Sequence, residues 1–192
     1  NDEWKVMALS AFDVNFQEIY EKIRGTVKLL ENGFFELDQS YYKGATFDQK
    51  HFYTKKLIDL IGGRVGKPFE EPDEWHYTIA SAMQKVSEDI ALNALNRLHK
   101  LTGSKNLSVS GGFFMNSVFN GKIIEQTPFE NLYISYAPTD AGNSIGAALY
   151  AAHCIKNIPR EAAAYSSSYL GPEFENLEIE QALNRRKIKF KI

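Results

Sequence analysis

The chain has 192 residues, 44% of them hydrophobic and 24% charged, with a net charge of −2 at neutral pH. That length accommodates one sizeable domain or one lobe of a larger one, and the near-neutral balance removes the electrostatic basis for binding nucleic acid. No apolar run approaches the ~18 residues of a membrane span, and a single cysteine, Cys154, excludes an intramolecular disulfide and fits a reducing, cytoplasmic setting.

From the amino end, "NDEWKVMALSAFD" begins abruptly with no leading element and no signal peptide, so a piece excised from a longer protein is expected. Residues 14–24 have mixed helical character. "TVKLLENGFFELD" reads as a hairpin, because Glu31-Asn32-Gly33 separates two strand-like runs. Residues 39–50 are polar and aromatic without a period and read as loop. A short helix over 51–61 stops at Gly62-Gly63, and "RVGKPFEEPDEW" follows as a proline-bearing connector whose "EEPDE" reads as a solvated acidic loop.

Residues 74–101 carry the strongest helical signal. Ile79, Met83, Val86, Ile90, Ala94 and Leu98 recur at three- and four-residue steps, defining one face that is expected to lie on a sheet. Asp73 is the expected N-cap and Gly103 the stop. His99 falls on the solvated side. Two strand–loop–helix units follow. Residues 107–109 lead through Ser110-Gly111-Gly112 into a helix over 113–125, and 132–135 lead through "YAPTDAGNS" into a helix over 143–156. Both loops sit at the carboxyl ends of strands, where open α/β sheets collect ligands. Cys154, in "GAALYAAHCI", reads as a small core residue. After Pro159, "EAAAYSSSY" reads as a linker, and "LEIEQALNRRKIKFKI" supplies one more helix and a strand.

Glycine at 111 and 112 removes both β-carbons from a strand-to-helix turn, permitting positive φ and close approach of a ligand to backbone N–H groups. A following helix start favours an anion there, and Ser110 and Asn116 supply further hydrogen-bonding groups. The alternative is a turn that only lets strand and helix pack. The motif has neither the further glycine of a dinucleotide fingerprint nor the Gly-Lys-Ser/Thr of a P-loop. In the second loop, Asp140 precedes Gly142 and a helix of small residues, Gly146, Ala147, Ala148, Ala151 and Ala152, which lets a neighbour come close and leaves Asp140 at the rim of a crevice. The alternative is that Asp140 or Asn143 caps that helix. Two glycine-bearing loops at successive strand ends favour a shared cleft. His51, His76, His99 and His153 show no metal-ligand spacing, and no nucleophile–histidine signature identifies a catalytic residue.

Together these residues resemble a family. "IASAMQKVSEDIALNALNRLHKLTGSKNLSVSGGFFMNSVFNGKI" is similar to the O-carbamoyltransferases of the nodulation and antibiotic-tailoring type, in which a helix with an Ile-Ala…Gln start runs into a strand and then Gly-Gly…Asn…Asn-Gly. "APTDAGNSIGAALYA" resembles their Asp-x-Gly…Gly-Ala-Ala element, and "EWKVMALSAFD" their Lys-x-Met-Gly-Leu-Ala-Pro-Tyr-Gly segment. "SSSYLGPEFENLEIEQAL" resembles the stretch joining their two domains. The matches run in order from about residue 3 to residue 185. The resemblance implies an α/β fold of the actin-like, RNase H-like ATPase type, a mixed sheet flanked by helices. Residues 1–160 would be the second lobe of the transferase domain, and 161–192 the linker and start of a YrdC-like domain. It further implies that a carbamoyl group from carbamoyl phosphate is activated with ATP as carbamoyl adenylate and passed to a hydroxyl of a sugar, nodulation factor or antibiotic. Carried across residue by residue, Ser110, Gly111, Gly112 and Asn116 would hold the nucleotide. Gly142 and Asn143 would line the same pocket, and Lys5 would face it near the bound anion. Asp140 would be a ligand of a divalent metal, iron by the family pattern.

The departures define the expectation further. The family's metal site takes a His-x-x-x-His pair from the amino-terminal lobe, which this chain does not contain, and "MALSAF" replaces the glycines and proline around Lys5. The missing amino-terminal lobe and the carboxy-terminal domain are therefore expected partners, and little or no turnover is expected of the fragment alone. Other readings are a nucleotide-binding module of a different actin-like protein, such as a sugar kinase or threonylcarbamoyl-transfer enzyme, and a non-catalytic interaction domain.

Overall fold

The computed structural model describes residues 3–43, 52–67, 69–160, 168 and 171–191. They divide into two units, Asn1–Asn143 and Ser144–Ile192. The first unit opens with a helix, α1 (Glu3–Leu9), where the sequence suggested no leading element. Seven residues are too few to establish a helical period. What seats α1 is non-local: the Ser81 hydroxyl donates to the Ser10 carbonyl at 3.4 Å, and the Phe12 ring stacks on Tyr77 with centroids 4.1 Å apart.

Helix α2 (Gln17–Arg24) leads into an antiparallel hairpin of β1 (Val27–Leu29) and β2 (Phe35–Leu37). The turn forms for the reason its sequence suggests. Asn32 Oδ1 accepts the Phe34 N–H at 3.0 Å, and Gly33 takes φ +86°, where a Cβ would also lie 2.7 Å from Arg97 Cβ. The Asn93 amide then donates to the Leu30 and Phe34 carbonyls, at 3.1 and 3.2 Å, clamping the hairpin to the long helix. Helix α3 (Lys55–Leu60) stops at Gly62 and Gly63, both at positive φ. Residues 44–51, part of the expected loop and helix start, lie outside the described residues.

The long helix, α4 (Glu74–Thr102), has the expected ends. Asp73 and His76 form a capping box, and Gly103 takes the left-handed conformation. Its buried side differs from the single face drawn from periodicity. Val86 is buried and Ile79 and Ile90 are half-buried, but Met83, Ala94 and Leu98 are exposed, while Ala80, Ser81, Ala82, Gln84, Glu88 and Leu95 are buried. The cause is that α4 is covered from two sides. Ala82 and Val86 join Ile23 and Val27 in one core cluster. Leu95 joins Leu107, Val109, Phe119, Ile123 and Phe129 in the other. Phe119 and Ile123 are fully buried, each a stabilisation of about 1.5–3 kcal/mol. His99, expected in solvent, is half-buried with its ring edge-on to Phe129, centroids 5.2 Å apart.

Strands β3 (Asn106–Val109) and β4 (Asn131–Ile134) pair in parallel, with Val109 opposite Ile134. The helix expected over 113–125 is broken into a 3₁₀ turn, Gly112–Met115, and two single-turn helices, α5 (Ser117–Asn120) and α6 (Ile123–Gln126). The Asn116 side chain caps α5 and Gly121 ends it, so the apolar pattern is met without a continuous helix. Among the described residues the strands form two separate two-stranded sheets, one antiparallel and one parallel, in place of a single mixed sheet.

Helix α7 (Asn143–Tyr150) carries the chain into the second unit and passes into a π-helical turn, Ala151–Ile155. Gly146, Ala147 and Ala148 are exposed, and so is Cys154, which is not the core residue its alanine-rich setting suggested. The expected linker at 161–169 lies outside the described residues apart from Ser168. At the start of helix α8 (Asn176–Arg185) Glu178 Oε2 accepts the Glu175 N–H at 2.8 Å, and no strand follows the helix among the described residues. The architecture is mixed α/β with small sheets. No helix among the described residues is long and apolar enough to cross a membrane.

Candidate functional site

The parallel pairing of β3 and β4 brings the two glycine-bearing loops to the same end of one small sheet. They are joined directly: the Gly111 N–H donates to the Pro138 carbonyl at 2.6 Å, and the Ser110 hydroxyl reaches the same oxygen at 3.5 Å. Gly111 sits at φ +101°, ψ 156°, a region that only glycine enters without strain. No atom lies within 4 Å of a Cβ built at Gly111 or at Gly112, so the turn has open space where side chains would otherwise stand. Both residues are exposed. The Gly111 amide is spent on Pro138. The Gly112 and Phe113 N–H groups make no hydrogen bond within the described residues, which leaves two uncommitted backbone donors on exposed residues at the turn. Because a 3₁₀ turn and a four-residue helix follow, those local donors, and not a helix dipole, are what the turn offers an anion.

Asn116 is half-buried and points its hydrogen bonds inward. Its Oδ1 accepts the Phe119 N–H at 3.0 Å, and its Nδ2 donates to Gln84 Oε1 at 2.8 Å. Gln84 Nε2 in turn donates to Asn116 Oδ1 at 3.2 Å and to Glu88 Oε1 at 2.9 Å, and Lys122 Nζ donates to that same Glu88 oxygen at 2.7 Å. Glu88 is only 2% exposed, so this is a charge held inside the fold by a lysine and an amide. Sequence reading missed Gln84, Glu88 and Lys122 as a group. The one available signal was a polar pair at i, i+4 on a helix with an otherwise apolar face.

In the second loop, Asp140 is exposed and opens a 3₁₀ turn, Asp140–Gly142, whose N-cap is Thr139; its hydroxyl accepts the Ala141 N–H at 3.4 Å. A Cβ at Gly142 would lie 2.2 Å from the Ala137 carbonyl oxygen, so glycine is required there by backbone approach within the loop itself. Asn143 is exposed at the start of α7. Lys5 is exposed on α1, its ammonium 5.5 Å from the centre of the Trp4 ring. The Ser117 hydroxyl meets the Met7 sulfur at 3.9 Å, which sets α1 beside the segment after the glycine pair.

Among the described residues no group of three or more His, Cys, Asp or Glu side chains converges as a metal site. A single exposed carboxylate at Asp140 does not hold a catalytic metal.

The run "EEPDE" is not simply solvated. Arg64 donates to Glu70 at 2.6 Å and to Asp73 at 2.7 Å, with its guanidinium 4.7 Å from the centre of the Trp75 ring. The hydrogen bond from Arg64 is the main cause holding the Asp73 carboxyl down to about 2, with His76 adding to it. Behind this cluster lies an apolar cavity of about 340 Å³, with Tyr42, Phe52, Leu57, Trp75 and Met83 among its walls.

A family model described as carbamoyltransferase N-terminus matches residues 1–149. The uncharacterized protein sll1178 of Synechocystis is 32% identical over 185 residues, covering 94% of this chain and 29% of that protein. Nodulation protein NolNO of Sinorhizobium fredii is 28% identical over 186 residues, 95% of this chain and 25% of its own length. Nodulation protein NolO of Bradyrhizobium diazoefficiens is 26% identical over 178 residues, with 91% and 29% covered. The chain thus spans between 25% and 29% of the length of these relatives.

Proposed function

Because this chain belongs to the carbamoyltransferase N-terminus family, we propose that it is the second lobe of the actin-like transferase domain of a cytoplasmic, ATP-dependent O-carbamoyltransferase. Residues 1–160 form that lobe, and 161–192 lead toward an activating, YrdC-like domain. The full-length protein takes a carbamoyl group from carbamoyl phosphate through carbamoyl adenylate to a hydroxyl of a small-molecule acceptor, with the amino-terminal lobe closing the other side of the cleft. The observation that carries this reading is the joined pair of loops at the end of β3 and β4, where Gly111 and Gly112 leave open space beside two uncommitted backbone donors.

In this reading ATP supplies the adenylyl group that activates the carbamoyl group. The residues of this chain bind and orient. The Gly112 and Phe113 N–H groups face a phosphate oxygen and stabilise developing negative charge, Ser110 and Asn116 hydrogen-bond the nucleotide, and Gly142, Asn143 and Lys5 line the same pocket. Asp140 contributes one hard oxygen ligand to a divalent metal, iron by family resemblance, whose remaining ligands lie outside this chain.

The test uses the full-length protein with ATP, carbamoyl phosphate and a panel of sugars and aminoglycosides, following pyrophosphate release and carbamoylated product. The expected result is product formation that Asp140→Asn suppresses together with a fall in bound iron measured by elemental analysis. Absence of both nucleotide binding and carbamoylated product across the panel would overturn the reading.

A further inference from the structure

An asparagine beside a bound nucleotide can serve as donor or as acceptor, and the surroundings of Asn116 decide which. Its Oδ1 already accepts two hydrogen bonds, from the Phe119 N–H at 3.0 Å and from Gln84 Nε2 at 3.2 Å, which uses both lone pairs. Its Nδ2 gives one hydrogen to Gln84 Oε1 at 2.8 Å and keeps the second. The two primary amides therefore form a closed reciprocal pair with a defined polarity.

That polarity is set from within the core. Gln84 Nε2 also donates to Glu88 Oε1 at 2.9 Å, and an ionised carboxylate only accepts. Turning the Gln84 amide over would set its oxygen against the carboxylate and its NH₂ against the NH₂ of Asn116. Lys122 Nζ, which can only donate, binds the same Glu88 oxygen at 2.7 Å, so that oxygen, on a side chain 2% exposed, is held as an acceptor. From the other side, the Phe119 N–H requires an oxygen at Asn116 Oδ1. Each end of the chain of hydrogen bonds demands the same orientation.

We infer that Gln84, held by Glu88 and Lys122, is a positioning residue that fixes Asn116 as a hydrogen-bond donor toward the ligand of the glycine turn. The inference rests on the nucleotide reading of that turn and adds to it a sign: the ligand atom that meets Asn116 is an acceptor, a phosphate or ribose oxygen, and not a hydroxyl or amine hydrogen.

The experiment is a double-mutant cycle on the full-length protein, with ATP affinity measured by titration calorimetry and thermal melting recorded for each variant. Asn116→Ala is expected to weaken ATP binding by about tenfold. Gln84→Met, which conserves volume, is expected to weaken it by a similar factor, and the double variant to bind no more weakly than Asn116→Ala. Asn116→Asp keeps the oxygen that caps Phe119 but replaces the donor with a charged acceptor, so it is expected to bind ATP more weakly than the alanine variant. Losses that multiply in the double variant, or an Asp variant that binds like the parent, would overturn the inference. Asn116→Ala with unchanged ATP affinity overturns the nucleotide reading itself, whereas a loss in Asn116→Ala with none in Gln84→Met overturns the positioning role alone. If Gln84→Met does not fold, Glu88→Gln takes its place in the cycle under the same criteria.

Discussion

The two adjacent glycines at the turn do different things, and the difference is measurable. Gly111 is required by its backbone: at φ +101° and ψ 156° an alanine costs about 1–3 kcal/mol in strain although its Cβ meets no neighbour. Gly112 has no positive φ and open space before it, so alanine there carries no such strain. Gly111→Ala is therefore expected to lower the melting temperature. Gly112→Ala is expected to leave melting unchanged and, if the proposed nucleotide reading of the turn holds, to weaken ATP binding by filling the space a phosphate would occupy. Calorimetric melting and ATP titration of the two variants separate the roles; equal melting losses would mean that Gly112 is as structural as its neighbour. The glycine pair was legible in the sequence as a turn. Its attachment to Pro138 was not, because a hydrogen bond between loops 27 residues apart has no local pattern to announce it.

At the scale of elements, the ends of α4 were readable and its sides were not. Capping is local, so Asp73 and Gly103 declare the boundaries within a few residues of themselves. Burial is not local. Gln84 finds Asn116 across 32 positions and Glu88 finds Lys122 across 34, so the sequence of the helix alone presents them as polar interruptions of an apolar face. The amino end of α4 also makes a pH-dependent contribution. The Asp73 carboxyl, ordinarily near 3.8, is brought to about 2 chiefly by the Arg64 hydrogen bond. In that window the unfolded chain binds a proton that the folded one does not, so stability rises with pH through it. The contribution is complete above about pH 4 and is lost as pH falls toward 2. Asp73→Asn retains a capable N-cap while removing the charge. Its melting temperature is expected to lie below the parent's at pH 7 and to converge with it as pH is lowered from 4 to 2, followed by circular dichroism. A constant offset at every pH would assign the effect to capping geometry and not to the ion pair.

For the first unit as a whole, the consequence of a helix buried on two sides is cooperativity. Ala82 and Val86 anchor the cluster with α2 and the hairpin, and Leu95 anchors the cluster with β3 and β4. The two contact stripes meet in the middle of α4: Ile90 packs against the first cluster and Ala91 and Leu92 against the second. Loosening one side therefore removes support from a helix that the other side also needs. Ile23, 2% exposed, belongs to the first cluster. Ile23→Ala is expected to destabilise by about 2 kcal/mol or more, roughly a thirtyfold change in the opening equilibrium. Hydrogen exchange on the full-length protein distinguishes the possibilities. If α4 couples the clusters, the amides of Leu107 and Val109 in β3 exchange faster by the same factor as those of β1. Acceleration confined to the hairpin would show two independently opening halves, and the geometry of the glycine turn would then be insulated from the rest of the unit.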